Sequence, residues 1–203
     1  MKIICIGRNY FKHIQELEND VPLKPLFFLK PETAIQPKGH PFFIPDFSNE
    51  IHYEVELVIK IKKTGKHIEK KFAHKYFEEI GLGIDFTARD IQENCKDKGL
   101  PWEIAKGFDG SAQISNKFIK KDIFLNKNIS FCLKKNNEIV QIGNSKEMIF
   151  SFEEIISYVS KFFTLKIGDL IYTGTPSGIG KDEKGDILNG FIEKEKILNV
   201  IVK

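Results

Sequence analysis

The stretch from Ile51 to Ile61, IHYEVELVIKI, constrains the fold most, because apolar and polar residues alternate along its first half. One side of the alternation is entirely apolar and consists of Ile51, Tyr53, Val55, Leu57, Ile59 and Ile61. Since successive side chains of a strand point to opposite faces, the pattern predicts one β-strand with one face in the core. The other face begins with His52, Glu54 and Glu56. It either faces water or places two carboxylates side by side for a metal ion, and this stretch alone leaves both interpretations open.

The size and charge of the chain favour a single domain over residues 1–203 and give no reason to expect a nucleic-acid partner. With 203 residues and 41% hydrophobic side chains, the chain is long enough to bury a core of its own. The net charge is +3, from 31 basic and 28 acidic residues, which lacks the basic excess typical of nucleic-acid binding.

The cysteines and the length of the apolar segments favour a cytoplasmic protein. Cys5, Cys95 and Cys132 are far apart and show no CxxC spacing, so neither a disulfide framework nor a zinc site is expected. The apolar run at the N-terminus is too short for a signal peptide, and no window reaches the length of a membrane span. We therefore expect a reducing, cytoplasmic compartment and no membrane partner.

Apolar periodicity and turn signals predict a mixed α+β domain in which β structure dominates. Strands are predicted at residues 2–6, 51–61 and 79–86, in a hairpin at 129–143, and near the C-terminus. Helices are predicted at residues 9–17, 67–77, 151–163 and, after a cap at Thr87 or Asp90, through about Lys98.

Asp85 favours the metal interpretation of the two glutamates. It lies within IGLGIDF, a run that otherwise predicts a buried strand. A buried carboxylate needs a partner, because desolvating an unpaired ion is costly. That partner is either Arg89, four residues further on, or a metal ion shared with Glu54 and Glu56. Three carboxylates suit a hard ion such as Mg²⁺. His52 is then expected to be a neighbour of the site rather than a ligand.

His13 and Glu16 are candidates for proton transfer. They lie three residues apart on the predicted helix and therefore on one face of it. The carboxylate could orient the imidazole as a general base. An ordinary exposed helix pair is the simpler interpretation of these two residues alone.

Several basic residues and a glycine-rich loop could contact a substrate anion. Arg8 and Arg89 are the only arginines among the 31 basic residues, and arginine offers carboxylates a planar fork that lysine lacks. Lys30 and Lys106 either reach water from apolar surroundings or meet a substrate carboxylate or enolate. The loop 173–180, TGTPSGIG, lacks the P-loop pattern and is either a simple turn or a cradle for a carboxylate.

These segments, taken together, resemble the fumarylacetoacetate hydrolase family, and in particular its single-domain acylpyruvase and oxaloacetate decarboxylase branch. The matching segments are, in order, GRNYFKHIQE, FFLKP, HYEVELVIKI, GLGIDFTARDIQ, KGLPWEIAKGFDGS and GDLIYTGTPSGIG. They cover most of the chain from Ile6 to about Gly180. One departure is Gln113, where relatives often carry proline; it could alter a turn near the site but touches none of the expected ligands.

The resemblance implies a mainly β fold, like the C-terminal domain of fumarylacetoacetate hydrolase, with mixed sheets curled around the active site, and a homodimer. It implies Mg²⁺ or Mn²⁺ held by Glu54, Glu56 and Asp85. The implied catalytic residues are Lys106 and, on a mobile lid segment at about residues 9–20, His13 and Glu16. The implied substrate-binding residues are Arg8, Lys30, Gln92 and Thr175.

The activity that this resemblance implies is metal-dependent cleavage of a carbon–carbon bond in a small 2-oxo acid through an enolate. The reaction would be hydrolysis of an acylpyruvate, with His13 activating water, or decarboxylation of oxaloacetate. Two alternatives remain open. One is an isomerase or tautomerase of enolisable oxo-dicarboxylates such as 2-hydroxyhepta-2,4-diene-1,7-dioate or oxaloacetate. The other is a non-catalytic protein that binds such metabolites.

Overall fold

The structure is a computed structural model that describes residues 1–37, 39–124 and 127–203. The β-strands of these residues are, from β1 to β14, Ile3–Gly7, Leu26–Lys30, Ile51–Tyr53, Val55–Ile61, Phe77–Asp85, Thr87–Ala88, Ala112–Ile114, Ile119–Lys120, Ser130–Lys135, Glu138–Asn144, Leu170–Tyr172, Gly180–Lys181, Ile187–Ile192 and Glu195–Ile201. The α-helices, α1 to α5, are Phe11–Glu16, Lys70–Ala73, Arg89–Asp97, Glu103–Lys106 and Phe152–Val159. Short 3₁₀ turns occur at Glu32–Ala34, Lys121–Phe124 and Ser145–Glu147.

Three sheets share the strands. The largest has the order β2-β1-β11-β4-β5-β7, with β8 also paired to β5. A four-stranded sheet has the order β10-β9-β13-β14, and a three-stranded sheet the order β12-β3-β6. Only the β1–β11 pairing is parallel among those of the described strands. The expected class, α+β with β structure dominant, is confirmed.

The large sheet is covered on both faces. Along β1, Ile4 and Ile6 belong to the main apolar cluster, whereas Ile3 and Cys5 belong to a second cluster. Since alternate residues of a strand point to opposite faces, each face packs against its own cluster. No helix of the described residues is long and apolar enough to cross a membrane.

The predicted strand 51–61 is broken in two at Glu54, and this part of the prediction was wrong. β3 pairs with β6 and β12, while β4 pairs with β5 and β11. At the break, the amide of Val55 donates to the side chain of Gln141 at 2.9 Å. The carbonyl of Glu54 accepts from the amide of Asp85 at 2.9 Å. The stretch therefore leaves one sheet and enters another, and neither part has a water-filled face.

Two helix predictions also need correction. The helix expected at residues 67–77 is limited to α2, because His67 is left-handed with φ of 51°, Glu69 is still extended, and β5 already begins at Phe77. The cap expected at Thr87 or Asp90 is wrong, since α3 begins after Ala88 without a side-chain cap. Thr87 belongs to β6. The Asp90 carboxylate accepts instead from Ser48 at 2.6 Å, which ties the start of α3 to the segment before β3.

The other elements follow their sequence signals. The hairpin β9–β10 turns at Asn136 and Asn137, both of which have positive φ, as a two-residue hairpin turn requires. Helix α5 begins with the predicted capping box, in which the Ser151 and Glu154 side chains each bond the other residue's backbone.

A buried carboxyl without a partner follows β12. Asp182 is 2% exposed, and neither of its oxygens has a hydrogen-bond donor among the described residues. Burial raises the pKa of Asp182 well above its ordinary value. The folded protein therefore holds this proton at pH values where the unfolded chain has lost it, so stability falls as pH rises above about 4.

Replacing Asp182 by valine should consequently stabilise the protein at pH 8, by about 1–3 kcal/mol, and much less at pH 4. The free energy of urea unfolding of wild type and variant at both pH values measures this difference. The matched control is Glu183→Val, which removes the adjacent exposed carboxylate and should show little pH-dependent difference. A loss of stability at pH 8, or equal effects at both pH values, would contradict the assignment.

Candidate active site

Three buried carboxylates meet where the sheets join. Glu54 lies in the break between β3 and β4, Glu56 lies in β4, and Asp85 ends β5. The strand register, with Val55 opposite Ile84, brings the three side chains together. All are at most 5% exposed, and one oxygen of each lies within 4.8 Å of the others. The structure thus brings together the cluster that the sequence predicted.

Three cations surround this cluster, but not in the expected pairs. The Lys106 ammonium lies 2.7 Å from Glu54 Oε2 and 3.0 Å from Asp85 Oδ2. The Lys30 ammonium lies 2.6 Å from Asp85 Oδ1. Arg89 pairs with Glu54 rather than with Asp85, which corrects the pairing considered from sequence. The Arg89 amide donates to the Glu50 carbonyl at 2.7 Å, which fixes the first turn of α3 beside the start of β3, where the guanidinium reaches Glu54.

The charges around Glu54 and Glu56 differ strongly. Burial raises the pKa of Glu54, but Lys106 and Arg89 outweigh burial and hold that pKa well below its usual range. For Glu56, burial and the carboxylates of Asp85 and Glu54 all raise the pKa well above its ordinary value. Its one hydrogen bond from the described residues is the Gly174 amide, which donates to Oε2 at 2.7 Å. The charge of Lys106 lowers the pKa of Glu56 by less than burial and the two carboxylates raise it, and no described lysine or arginine lies at ion-pair distance from Glu56.

The cluster fits a divalent metal ion. It offers hard oxygen ligands, which such ions prefer, and Cys and His residues are absent from the group among the described residues. Asp85 Oδ1 receives no hydrogen bond from the described residues, although Lys30 lies at ion-pair distance. A cation next to Glu56 would also offset the repulsion among the three carboxylates. His52 stands apart from the group, with Nε2 at 3.2 Å from Glu50 Oε2.

His13 and Glu16 form a pair at the edge of the same cleft. His13 is 6% exposed and lines the cleft, and its Nδ1 lies 3.1 Å from Glu16 Oε2. The second oxygen of Glu16 accepts from the Gly178 amide at 2.9 Å. Burial raises the pKa of Glu16, but the bonds from His13 and Gly178 outweigh it, so the pKa is lowered and the carboxylate stays ionised. Nε2 of His13 is then the ring nitrogen available for proton transfer.

Gln92 lines the cleft, and its side-chain amide is held in one orientation by Arg89. Arg89 Nη1 donates to Gln92 Oε1 at 2.5 Å. The amide oxygen is thereby engaged, and the amide NH₂ is left as a donor for a substrate oxygen.

Thr175 also lines the cleft, but its hydroxyl is engaged. It donates to the Val55 carbonyl at 2.9 Å and accepts from Gln141 Nε2 at 2.9 Å. The hydroxyl proton is therefore not available to a substrate. The Thr175 backbone N–H, which has no acceptor among the described residues, is the remaining donor at this position.

Lys106 and Lys30 differ in their access to the cleft, although both pair with Asp85. Lys106 lines the cleft, and its third donor contact is Thr87 Oγ1 at 2.6 Å. Burial lowers the pKa of Lys106, but Asp85 and Glu54 more than offset it, so the ammonium stays charged. Lys30 was expected to contact substrate, yet its side chain is fully buried behind Asp85 and also bonds Ser111. Its position favours holding Asp85 over binding substrate.

Sequence patterns missed two residues that hold the site together. Gln141 on β10 joins Val55 to Thr175 and to the Pro176 carbonyl through three hydrogen bonds. Asn9 bonds the Thr173 carbonyl at 2.7 Å and both backbone groups of Phe150. No local signal identifies them, because their partners are more than 30 residues away in the chain.

Gln113, the noted departure from relatives, lies in β7 opposite Ile84. Its side chain donates to the Gly110 carbonyl at 3.0 Å, and its carbonyl accepts from the Tyr172 hydroxyl at 2.6 Å. It supports the turn at Gly110 and makes no hydrogen bond to the three carboxylates.

The cleft that contains these groups is small and polar at its base. It measures about 460 Å³ including the solvent at its mouth. Phe28 and Trp102 form an aromatic wall, packed edge to face with ring centroids 5.8 Å apart. Arg8 and Lys96 also line it. The arrangement can bind a small anion over a polar base and exchange a proton with it through His13.

Comparison with known proteins gives a consistent result. Residues 2–195 match the family described as fumarylacetoacetate (FAA) hydrolase C-terminal. The chain is 44% identical over 94% of its length, and 86% of the relative's, to a Mus musculus protein named oxaloacetate tautomerase FAHD1, mitochondrial. It is 43% identical, over 92% of its length and 86% of the relative's, to a Dictyostelium discoideum protein named oxaloacetate decarboxylase, mitochondrial.

A solved structure is similar over the whole chain. It is fumarylpyruvate hydrolase from Pseudomonas aeruginosa in complex with Mn²⁺ and pyruvate, with a TM-score of 0.92 and 35% identity. The match covers 100% of this chain and 89% of that one. These relatives are enzymes, and the expected family and fold are confirmed. The chain therefore belongs to the fumarylacetoacetate hydrolase family.

Proposed function

We propose that this protein is a divalent-metal-dependent enzyme that enolises small 2-oxo acids, with tautomerisation of oxaloacetate as its first activity. The observation that carries the proposal is a buried group of three carboxylates in one cleft with a histidine that is held by a carboxylate. The names of the Mus musculus and Dictyostelium discoideum relatives support oxaloacetate as the substrate.

Glu54, Glu56 and Asp85 would hold the ion, which we propose to be Mg²⁺ or Mn²⁺. When bound there, the ion supplies Lewis-acid polarisation of the substrate's 2-oxo group. The Mn²⁺ complex of the Pseudomonas aeruginosa structure supports this class of metal.

The remaining residues of the cleft would bind and orient the substrate. The Gln92 amide NH₂ and the Thr175 backbone N–H are free donors for the substrate's carboxylate and carbonyl oxygens. The Lys106 ammonium contributes positive charge next to the developing enolate oxygen, where preorganised charge lowers the barrier. The aromatic wall of Phe28 and Trp102 limits access of water from one side.

His13 would move the proton. In tautomerisation its Nε2 would take a proton from C3 of the substrate, and the imidazolium formed would return that proton to the 2-oxo oxygen, so the product is the enol and the ring is neutral again. Glu16 holds the ring and stabilises its protonated form. Because Glu16 also bonds the Gly178 amide, the position of His13 depends on the loop that carries Thr175.

A second activity, cleavage of the C3–C4 bond, uses the same groups. In an acylpyruvate, C4 is a ketone and water must attack it first, so His13 would act as the base for that water. The Pseudomonas aeruginosa neighbour, named a fumarylpyruvate hydrolase, favours this second activity. In oxaloacetate, C4 is a carboxylate, and loss of CO₂ needs no base at that step.

The test is His13→Ala assayed on three reactions with Mg²⁺ or Mn²⁺ present. We expect oxaloacetate tautomerisation and acetylpyruvate hydrolysis to fall by about 10²–10⁴-fold, which is the usual range for loss of a general base. Decarboxylation of oxaloacetate should fall much less. Ultraviolet absorbance follows all three reactions, with product analysis to separate them. Glu18→Gln, which changes an exposed carboxylate nearby, is the matched control.

Two outcomes would contradict the proposal. Equal losses in all three reactions would refute the role of His13 as a base. No turnover by the wild type of either substrate, together with Mn²⁺-dependent binding of oxalate, would favour the non-catalytic metabolite-binding alternative.

The expected homodimer and cytoplasmic location remain predictions. Light scattering of the purified protein tests the first, and fractionation of cells that express the tagged chain tests the second.

A further inference from the structure

Two cations of the cleft, Arg8 and Lys96, have no ion-pair partner in the part of the chain that the structure describes. Lys30, Lys106 and Arg89 each pair with a carboxylate of the metal group. Arg8 and Lys96 line the same cleft, yet no carboxylate of the described residues lies within ion-pair distance of either. Half-buried cations without partners are costly unless an anion reaches them from the cleft.

Arg8 is held in an unfavourable backbone conformation. Its φ is 57°, in the left-handed region that residues with a β-carbon rarely adopt. The next residue, Asn9, is fully buried and is fixed by its bonds to Thr173 and Phe150. Strain of this kind persists where the surroundings impose it, and it is concentrated at functional sites.

Lys96 continues the face of α3 that lines the cleft. Arg89, Gln92 and Lys96 are spaced by three and four residues, so they lie on one side of the helix. Four residues of helix advance about 6 Å, so Lys96 lies about that far from Gln92 along the axis of α3. Burial and then the charges of Arg8 and Arg89 lower the pKa of Lys96 by more than the carboxylates of Glu93 and Asp97 raise it, so Lys96 lies close enough to both guanidinium groups to be repelled by them.

We propose that Arg8 and Lys96 form a distal anion subsite that binds the second carboxylate of the substrate, and that these two residues make the protein prefer a dicarboxylate over a monocarboxylate of the same length. The proposal rests on the proposed function, in which the 2-oxo acid end of the substrate lies at the metal group. The distal carboxylate would lie between two like charges and offset their repulsion. A neutral acyl group at the same position would leave both cations unpaired.

The discriminating experiment compares two ligands of equal chain length, 2-oxoglutarate and 2-oxopentanoate. Their dissociation constants are measured by calorimetry on the Mn²⁺-loaded enzyme at low salt. We expect the wild type to bind the diacid about 10-fold or more tightly than the monoacid, because one hydrogen bond to a charged group contributes about this much to affinity. This preference should shrink as salt is added, because partly exposed charges are screened.

The variants are Arg8→Asn and Lys96→Met. Asparagine removes the charge of Arg8 and tolerates positive φ, so the backbone can stay in place. In each variant we expect the preference for the diacid to fall to about 3-fold or less. Lys98→Met, at the exposed end of the same helix, is the matched control and should keep the wild-type preference. Melting temperatures within a few degrees of wild type verify that the variants are folded.

The outcomes separate this proposal from the proposed function. If wild type turns over oxaloacetate but both variants keep the full preference for the diacid, the subsite is refuted and the activity stands. Equal weakening of both ligands would also refute it, since the residues would then act on the shared 2-oxo acid end. If wild type shows no turnover but the preference disappears in the variants, the subsite stands and the enzymatic activity fails.

Discussion

The Glu56→Gln variant should lose divalent-metal binding and activity while its metal-free fold stays intact. Among the described residues, Glu56 is the one carboxylate of the group without a lysine or arginine at ion-pair distance, and its one hydrogen bond comes from the Gly174 amide. Glutamine has nearly the same shape and can still accept that bond through its amide oxygen. The substitution therefore removes a negative ligand without leaving a buried lysine or arginine unpaired.

We expect the dissociation constant for Mn²⁺ to rise by more than about 100-fold, beyond what loss of an outer contact causes. Turnover of oxaloacetate should fall with it. Calorimetric titration with Mn²⁺ measures the affinity, and thermal melting with a chelator present measures the metal-free fold. The melting temperature should equal or exceed that of wild type, because the pKa of Glu56 is raised and its ionisation opposes folding at neutral pH. Unchanged Mn²⁺ affinity would refute the ligand assignment.

Asp85→Asn should behave differently, because it also removes the partner of a buried cation. The Lys30 side chain is fully buried and lies 2.6 Å from Asp85 Oδ1. Asparagine is neutral, so the Lys30 charge would remain buried without an ion pair. Breaking a buried pair in this way destabilises proteins by about 3–5 kcal/mol. We expect a loss of this size in urea unfolding of the metal-free protein, in addition to loss of Mn²⁺ binding.

The double variant Asp85→Asn, Lys30→Met provides the control. Removing the lysine charge as well should recover part of the stability. The loss of unfolding free energy in the double variant should therefore be smaller than the sum of the losses in Asp85→Asn and Lys30→Met alone. Metal binding should not recover, since the ligand is still absent. Full stability of Asp85→Asn alone would contradict the assignment of Lys30 as the residue that holds Asp85.

The sequence was sufficient to predict that Glu54, Glu56 and Asp85 form one buried group. Alternation placed Glu54 and Glu56 near each other, and the apolar run around Asp85 predicted its burial. Both signals depend only on residues close together in the chain, so they can be recognised without knowing the fold. The spacing of His13 and Glu16 is local too, and the structure places that pair at the cleft.

The pairing of charges could not be predicted in the same way. Arg89 bonds Glu54, 35 residues away, and Lys30 meets Asp85 across two strands that are not neighbours in the chain. Which cation meets which carboxylate depends on how the sheets join at Glu54, and a continuous apolar alternation gave no sign of that break. The position of Lys30 beside Asp85 could not be predicted for this reason, and its expected contact with substrate stays a prediction.

Through Gln141, the hairpin β9–β10 helps to position residues of the site that are far from it in the chain. The Gln141 side chain accepts a hydrogen bond from the amide of Val55, which lies between Glu54 and Glu56 in the chain. Because β10 belongs to a different sheet from β4, the relative orientation of these two glutamates depends on how the two sheets pack. The same side-chain amide of Gln141 also holds Thr175. A change in the packing of this hairpin would therefore tilt the proposed metal ligands and the loop that carries Thr175 together, although none of the hairpin's residues belongs to the group of three carboxylates.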